Sequence, residues 1–223
     1  MYFHAACWPR QPGAVQEMVN RIRIRFRKQG DLRLASHRDL MRTVERLLRR
    51  AGVAVCESEG FHPKPRVHYP ASLALGMTGL DEVLEADLVE PAEPAELISL
   101  LNEHTVAGLE FTAAEILPSQ GKKGQPRNLR FEVKLTPTDC DALQQRVAVF
   151  MAAATWCVTR DGKPVDIRPL VEELTLVGDM LSLTLRVVNE AGARPRDVLE
   201  MLGFSADEIL EFEITRTQVE MIP

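Results

Sequence analysis

RIRIRFRK, residues 21–28, alternates basic and apolar side chains from Arg21 to Arg27 and ends on Lys28. Ile22, Ile24 and Phe26 share one face and Arg21, Arg23, Arg25 and Arg27 the other, the period-2 pattern of a half-buried strand with a basic outer surface. The period then changes. Ser36 stands as the N-cap of HRDLMRTVERLLRRAG, residues 37–52, with Asp39 as a variant of the capping-box partner and Gly52 as the stop. Leu40, Val44, Leu47, Leu48 and Ala51 recur at helical spacing as the buried stripe. At 100° per residue, Arg38, Arg42 and Arg49 fall within about 40° of one another on the opposite side.

Working outward from this strand and helix, VAVCES and RVHYPASLAL are expected as two further strands, joined by the loop within SEGFHPKPRVHYP (residues 58–70). DEVLEADLVE follows as an acidic strand, PAELISLLNEH as a helix with Pro94 near its start, and GLEFTAAEIL as a closing strand. SQGKKGQPRN, residues 119–128, has the composition of a linker. Beyond it the pattern repeats in outline. NLRFEVKL turns Leu129, Phe131, Val133 and Leu135 inward, and TDCDALQQRVAVFMAAA is a helix capped around Thr138 or Asp139. Strand material surrounds an Asp161-Gly162 turn, and ELTLVGDMLSLTLRVV is a hairpin about Gly178-Asp179. ARPRDVLEMLG is a short helix and EFEITRTQVEM a last strand. The expected fold is α+β: two tandem ferredoxin-like (split βαβ) halves with antiparallel sheets and helices on one face. Residues 1–18 are expected as a loose leader, 19–118 as the first half, 119–128 as the linker and 129–223 as the second half.

Composition bounds the function classes. The 223 residues are 45% hydrophobic and 26% charged, as in an ordinary globular protein. No apolar run has the length of a membrane span and the start has no signal-peptide core, so a cytoplasmic location without membrane contact is expected. Cys7, Cys56, Cys140 and Cys157 lie far apart with no C-x-x-C pair, and Cys56, His62 and His68 match no familiar zinc spacing. No metal is assigned. The net charge of −5 hides a split: residues 19–70 hold 13 Lys/Arg against 5 Asp/Glu, whereas residues 71–120 hold none against 10. Either the basic part serves an anionic partner or the two parts neutralise each other in the fold.

Pro63, Pro65 and Pro70 fix their own φ and hold the preceding residues extended, so the loop at 58–70 is stiff. It presents Phe61, His62, Lys64, Arg66, His68 and Tyr69, side chains suited to phosphates and exposed bases, although a proline-rich strand connection has the same composition. Arg42, Arg46, Arg49 and Arg50 form either a solvated helix face, with Glu45 pairing Arg49, or, joined to the strand arginines, one basic patch leading to this loop. His37 and His62 are weak candidates for acid–base work, since histidine titrates near neutrality. Ser36, His37 and Asp39 sit too close together at a helix start to act as a hydrolytic triad, and capping accounts for Ser36.

SHRDLMRTVERLLRRAG followed by SEGFHPKPRVHYPASLALG resembles the opening of the bacterial radical SAM-linked family, DUF2344. The matching positions include Ser36, His37, Asp39, Leu40, Arg46, Arg49, Arg50 and Ala51, then Ser58, Gly60, Phe61, His62, Pro63, Pro65, Leu75 and Gly76. Asp166, Arg168 and Pro169 of VDIRPLV and Arg194-Pro195 resemble its later motifs, so the likeness runs over about residues 19–220. Arg38 stands where the family usually has leucine, and Glu59 where it often has glutamine. The resemblance implies a partner radical SAM enzyme, which carries an iron–sulfur cluster, SAM and cobalamin, and a genomic setting near ribosomal and ribonuclease genes. This chain has no C-x-x-x-C-x-x-C motif and is expected to bind none of these cofactors itself.

Three functions follow as expectations. The first is an accessory domain that binds RNA through Arg42, Arg46, Arg49, Arg50, Phe61, His62, Lys64 and Arg66 and presents it to the partner. The second is a protein adaptor using the acidic stretch at 81–96, without RNA contact. The last is a metal-independent RNA-processing enzyme using His37 or His62, for which no complete catalytic set is visible. Asp166 and Arg168 are expected as a buried pair linking the halves.

Overall fold

A computed structural model describes residues 20–119, 121–136, 140–160, 162–188 and 192–222. The expected leader, the helix caps at 138 and 139 and the turn residue at 161 lie outside the described residues. The opening strand forms as β1 (Asn20–Lys28), and the helix after it as α1 (His37–Arg50). Ser36 Oγ accepts the Asp39 N–H (3.2 Å) and donates to Asp39 Oδ2 (2.6 Å), which holds that carboxyl below its usual pKa. Gly52, at φ +73°, turns the chain out of the helix.

β2 (Val67–His68), β3 (Thr78–Leu88), α2 (Pro94–Glu103) and β4 (Leu109–Ile116) complete the first part. β1 pairs antiparallel with β3 on one side and β4 on the other, and β2 pairs antiparallel with β3. Ile22, Ile24 and Phe26 face Leu40, Val44, Leu47 and Leu48 of α1 and Leu97 and Leu101 of α2 in one apolar cluster. Burial of such a stripe, at ~25 cal/mol per Å² of apolar surface, fixes both helices to that face.

The remaining elements are β5 (Pro126–Lys134), α3 (Cys140–Ala152), β6 (Cys157–Arg160), β7 (Lys163–Asp166), β8 (Val171–Val177), β9 (Met180–Arg186), α4 (Pro195–Met201), α5 (Ala206–Glu211) and β10 (Glu213–Met221). Phe131, Val133 and Leu135 turn inward as the alternation requires, and with α3, α4 and α5 they build a second cluster. β6 and β7 form a separate two-stranded ribbon. The main sheet runs β4-β1-β3-β10-β5-β9-β8, with β2 alongside β3. Its pairings are antiparallel except β3 with β10, the short parallel seam at Thr78 and Gly79 against Thr215 and Arg216. Arg216 is in register with both Gly79 and Phe131, so the two apolar clusters lie on the same side of the sheet. The protein is thus α+β, with a mostly antiparallel sheet and five helices among the described residues.

Several expectations are corrected. VAVCES is not a regular strand; Val55 bridges Leu88 and Glu57 bridges Pro65, and the next expected strand shrinks to Val67–His68. Pro63, Pro65 and Pro70 cannot donate to a ladder, which limits its length. The linker ends early, because Pro126, Arg127 and Asn128 already belong to β5. α5 was missed, although Ser205 and Glu208 spell a capping box: Ser205 Oγ accepts the Glu208 N–H (3.3 Å) and the Glu208 carboxylate accepts the Ser205 N–H (2.7 Å). Among the described residues no helix is long and apolar enough to cross a membrane.

Candidate nucleic-acid interface

The proline loop is an excursion from the edge of the sheet. Val89 N–H donates to Ala54 O (3.0 Å) and Cys56 N–H to Asp87 O (2.7 Å), while Asp87 N–H donates to Arg66 O (3.1 Å) and Val67 pairs with Ala86. The same side of β3 is therefore lined first by residues 54–56 and then by 66–68, and the nine residues between bud outward. Their base is braced: Ser58 N–H donates to Lys64 O (2.8 Å), Lys64 N–H to Ser58 Oγ (3.0 Å), and Arg66 N–H to Cys56 O (2.7 Å). Gly60 sits at φ +132°, a conformation that suits glycine. Phe61 is fully exposed, and His62, Lys64 and Arg66 are exposed beside it.

The two sets of arginines have different fates. On β1 each is paired with a carboxylate: Arg21 with Asp87 (3.1 Å), Arg23 with Glu85 and Glu115 (2.9 Å each), Arg25 with Asp81 (2.6 Å) and Arg27 with Glu110 (3.1 Å). Arg21 also donates to Gly121 O (3.0 Å), and Glu85 accepts the Gly124 N–H (3.0 Å), so this face straps down the segment between β4 and β5. On α1, Arg42, Arg46, Arg49 and Arg50 are all exposed. Arg42 approaches Asp39 (3.7 Å), and Arg50 donates to His104 O. Arg46 and Arg49 have no hydrogen bond or ion pair among the described residues, and Glu45 does not take up Arg49. The continuous strand–helix patch is corrected: strand alternation sends the β1 arginines to the face opposite α1.

The histidines do not assemble catalytic machinery. His62 stands on the exposed loop, and neither it nor His37 hydrogen-bonds to the other or to a carboxylate among the described residues. His37 packs edge-on against Tyr69, with ring centroids 5.3 Å apart, and its Nδ1 is buried without a partner among the described residues. Burial, reinforced by Arg216 and Lys28 and opposed by Glu82, lowers its pKa below the ordinary value. Tyr69 is not a stacking surface: its hydroxyl is buried and its ring packs against Phe26 and His37. His68 Nε2 lies 3.1 Å from Gly124 O, against the strap.

Sequence reasoning missed the polar cluster beside His37. Arg216 Nε donates to Glu82 Oε1 (2.7 Å) and Nη2 to the second oxygen, while the guanidinium also reaches Ser72 O (3.1 Å) and Ala71 O (3.2 Å). All of Arg216, Glu82 and Lys28 are buried. Lys28 Nζ donates to Ala35 O (2.8 Å) and Arg33 O (3.2 Å), and burial lowers its pKa, against the attraction of Glu82. A signal was present: Lys28 is the fourth inward position of the opening alternation, and Glu82 holds the matching position below Leu84, Ala86 and Leu88. The cluster sits at the seam and is satisfied by protein groups.

Asp166 and Arg168 are not a pair linking the two parts. Asp166 Oδ1 accepts the backbone N–H of Trp156 (2.8 Å) and of Arg168 (3.1 Å), while the Arg168 guanidinium donates to Met151 O (2.8 Å) and Val171 O (2.9 Å) beneath the Phe150 ring. Both serve the second cluster alone. Among the described residues no group of three or more His, Cys, Asp and Glu side chains is placed to hold a metal ion.

Comparison with known families matches the chain to a family model. The profile described as an uncharacterized protein conserved in bacteria (DUF2344) covers residues 21–196, from the first arginine of β1 into α4. No curated relative matches the chain.

Proposed function

Since the chain belongs to the DUF2344 family, we propose that it is a radical SAM-linked accessory protein that binds RNA and presents it to a partner enzyme in the cytoplasm. The reading takes the protein as two ferredoxin-like halves, supported by the same antiparallel strand order in each part: β4-β1-β3-β2 and β10-β5-β9-β8. The observation that carries it is the contrast between the arginines. The fold neutralises every arginine of β1 with a carboxylate and leaves Arg46 and Arg49 of α1 exposed, with no partner among the described residues. Unpaired guanidiniums on a rigid helix are suited to phosphate oxygens, and each contact releases counterions.

Fluorescence anisotropy against labelled transfer-RNA and ribosomal-RNA fragments over a salt series tests this reading. Binding is expected to weaken steeply with salt. For a single strand each phosphate contact contributes ~0.7 to the slope, so Arg46→Ala/Arg49→Ala/Arg50→Ala lowers it by about 2. No binding even at low salt overturns the RNA reading and favours a protein adaptor for the radical SAM enzyme. Four of the seven carboxylates of the acidic stretch proposed for that role, Asp81, Glu82, Glu85 and Asp87, pair with arginines of this chain.

A further inference from the structure

The kind of RNA follows from the loop, on the premise that the RNA reading above holds. We infer that the loop of residues 57–65 is a stacking head for an unpaired nucleotide, with the base on the Phe61 ring and its phosphate on the Lys64 and Arg66 arm, so that single-stranded or looped RNA is bound in preference to duplex.

Three observations converge on this. Phe61 is the one exposed aromatic ring among the described residues; Phe26, Phe111, Phe131 and Phe150 are buried, and the others are at least partly so. A single exposed apolar residue is ordinary on a protein surface. Here, however, the ring stands on a loop braced by the two Ser58–Lys64 hydrogen bonds and stiffened by Pro63 and Pro65, so little ordering remains to be done when a base docks. The charge of the loop is also divided. Glu57 and Glu59 lie on the outgoing arm and Lys64 and Arg66 on the return arm, all exposed. A phosphate is therefore attracted to one arm and repelled by the other.

An aromatic face with a neighbouring cation takes any base through its π-face, provided that the base is free of its own stack. A duplex offers no such base along its length. The α1 arginines contact phosphates of either form, so the discrimination comes from Phe61.

The test uses the full chain with fluorescein-labelled oligo(A), oligo(U) and a blunt duplex of the same length at one low salt concentration. Both single strands are expected to bind more tightly than the duplex. Phe61→Ala weakens single-strand binding by roughly 5- to 100-fold and leaves duplex binding unchanged. Phe61→Trp stays within about threefold of the wild type, and its added indole fluorescence is quenched by the single strands alone. Glu57→Gln/Glu59→Gln, which removes only repulsion, tightens single-strand binding by about two- to fivefold. Equal binding of both forms, or single-strand affinity that ignores Phe61→Ala, overturns the stacking head while the RNA reading stands. Absence of all RNA binding overturns that reading first and this inference with it. Since Phe61 touches no core residue, circular dichroism of Phe61→Ala should match the wild type.

Discussion

Replacing Glu82 with leucine should cost this protein more than almost any other single change. Glu82 is buried at the seam and is, among the described residues, the one carboxylate bonded to Arg216, which meets it with two parallel hydrogen bonds. Lys28 is buried close enough to feel both charges. Glu82→Leu leaves the buried cations Lys28 and Arg216 without their shared anion. Breaking a buried pair by removing one partner costs ~3–5 kcal/mol. For a chain of this size each kcal/mol shifts the melting temperature by about 2–4 °C, so a fall of roughly 6–20 °C is expected. Arg216→Met strands the Glu82 carboxylate and frees the carbonyls of Ala71 and Ser72, with a loss of similar size. Because the double variant removes the mismatched charges together, its loss should fall short of the sum of the singles by about 2–3 kcal/mol. Urea unfolding of the four proteins measures this cycle. If Glu82→Leu costs less than about 1 kcal/mol, or the two losses simply add, the pair does not hold the seam and the reasoning fails.

Two further outcomes follow from the same corner of the molecule. Folding holds the pKa of His37 below its ordinary 6.5, so the unfolded chain binds the proton first as pH falls, and stability is lost from about 6.5 downward to the lowered folded value. Urea midpoints at about pH 7.5 and pH 5.5 should therefore converge in His37→Gln relative to the wild type, and an unchanged difference would argue against a neutral, half-buried His37. The Tyr69 hydroxyl is buried with no partner among the described residues, and burial raises its pKa above the ordinary phenol value. Tyr69→Phe removes that unsatisfied group, so a change within ~0.5 kcal/mol or a gain up to ~1 kcal/mol is expected; a loss beyond ~1.5 kcal/mol in thermal unfolding would show that the hydroxyl is bonded in solution.

What the sequence determined by itself was local. The alternation of RIRIRFRK set the buried face of β1, Ser36 and Gly52 bounded α1, and Gly178 marked the β8–β9 turn, because period, capping and positive φ depend only on residues within a few positions of one another. The exposure of the α1 arginines and the stiffness of the Pro63–Pro65 loop were legible for the same reason. Only the tertiary structure decided which charges remain available. Arg23 and Glu85 are 62 residues apart, and Arg216 and Glu82 are 134 apart. No periodicity reports pairing over such separations. Strand register placed the acidic stretch of β3 beside β1, consuming one basic face, and the parallel seam with β10 gathered Lys28, Glu82 and Arg216 into a buried cluster. It also turned Tyr69 inward and Phe61 outward, although the two rings lie eight residues apart on one proline-rich stretch. Composition fixes what a side chain is able to bind, whereas burial and the partners supplied by distant strands decide whether it is still free to do so.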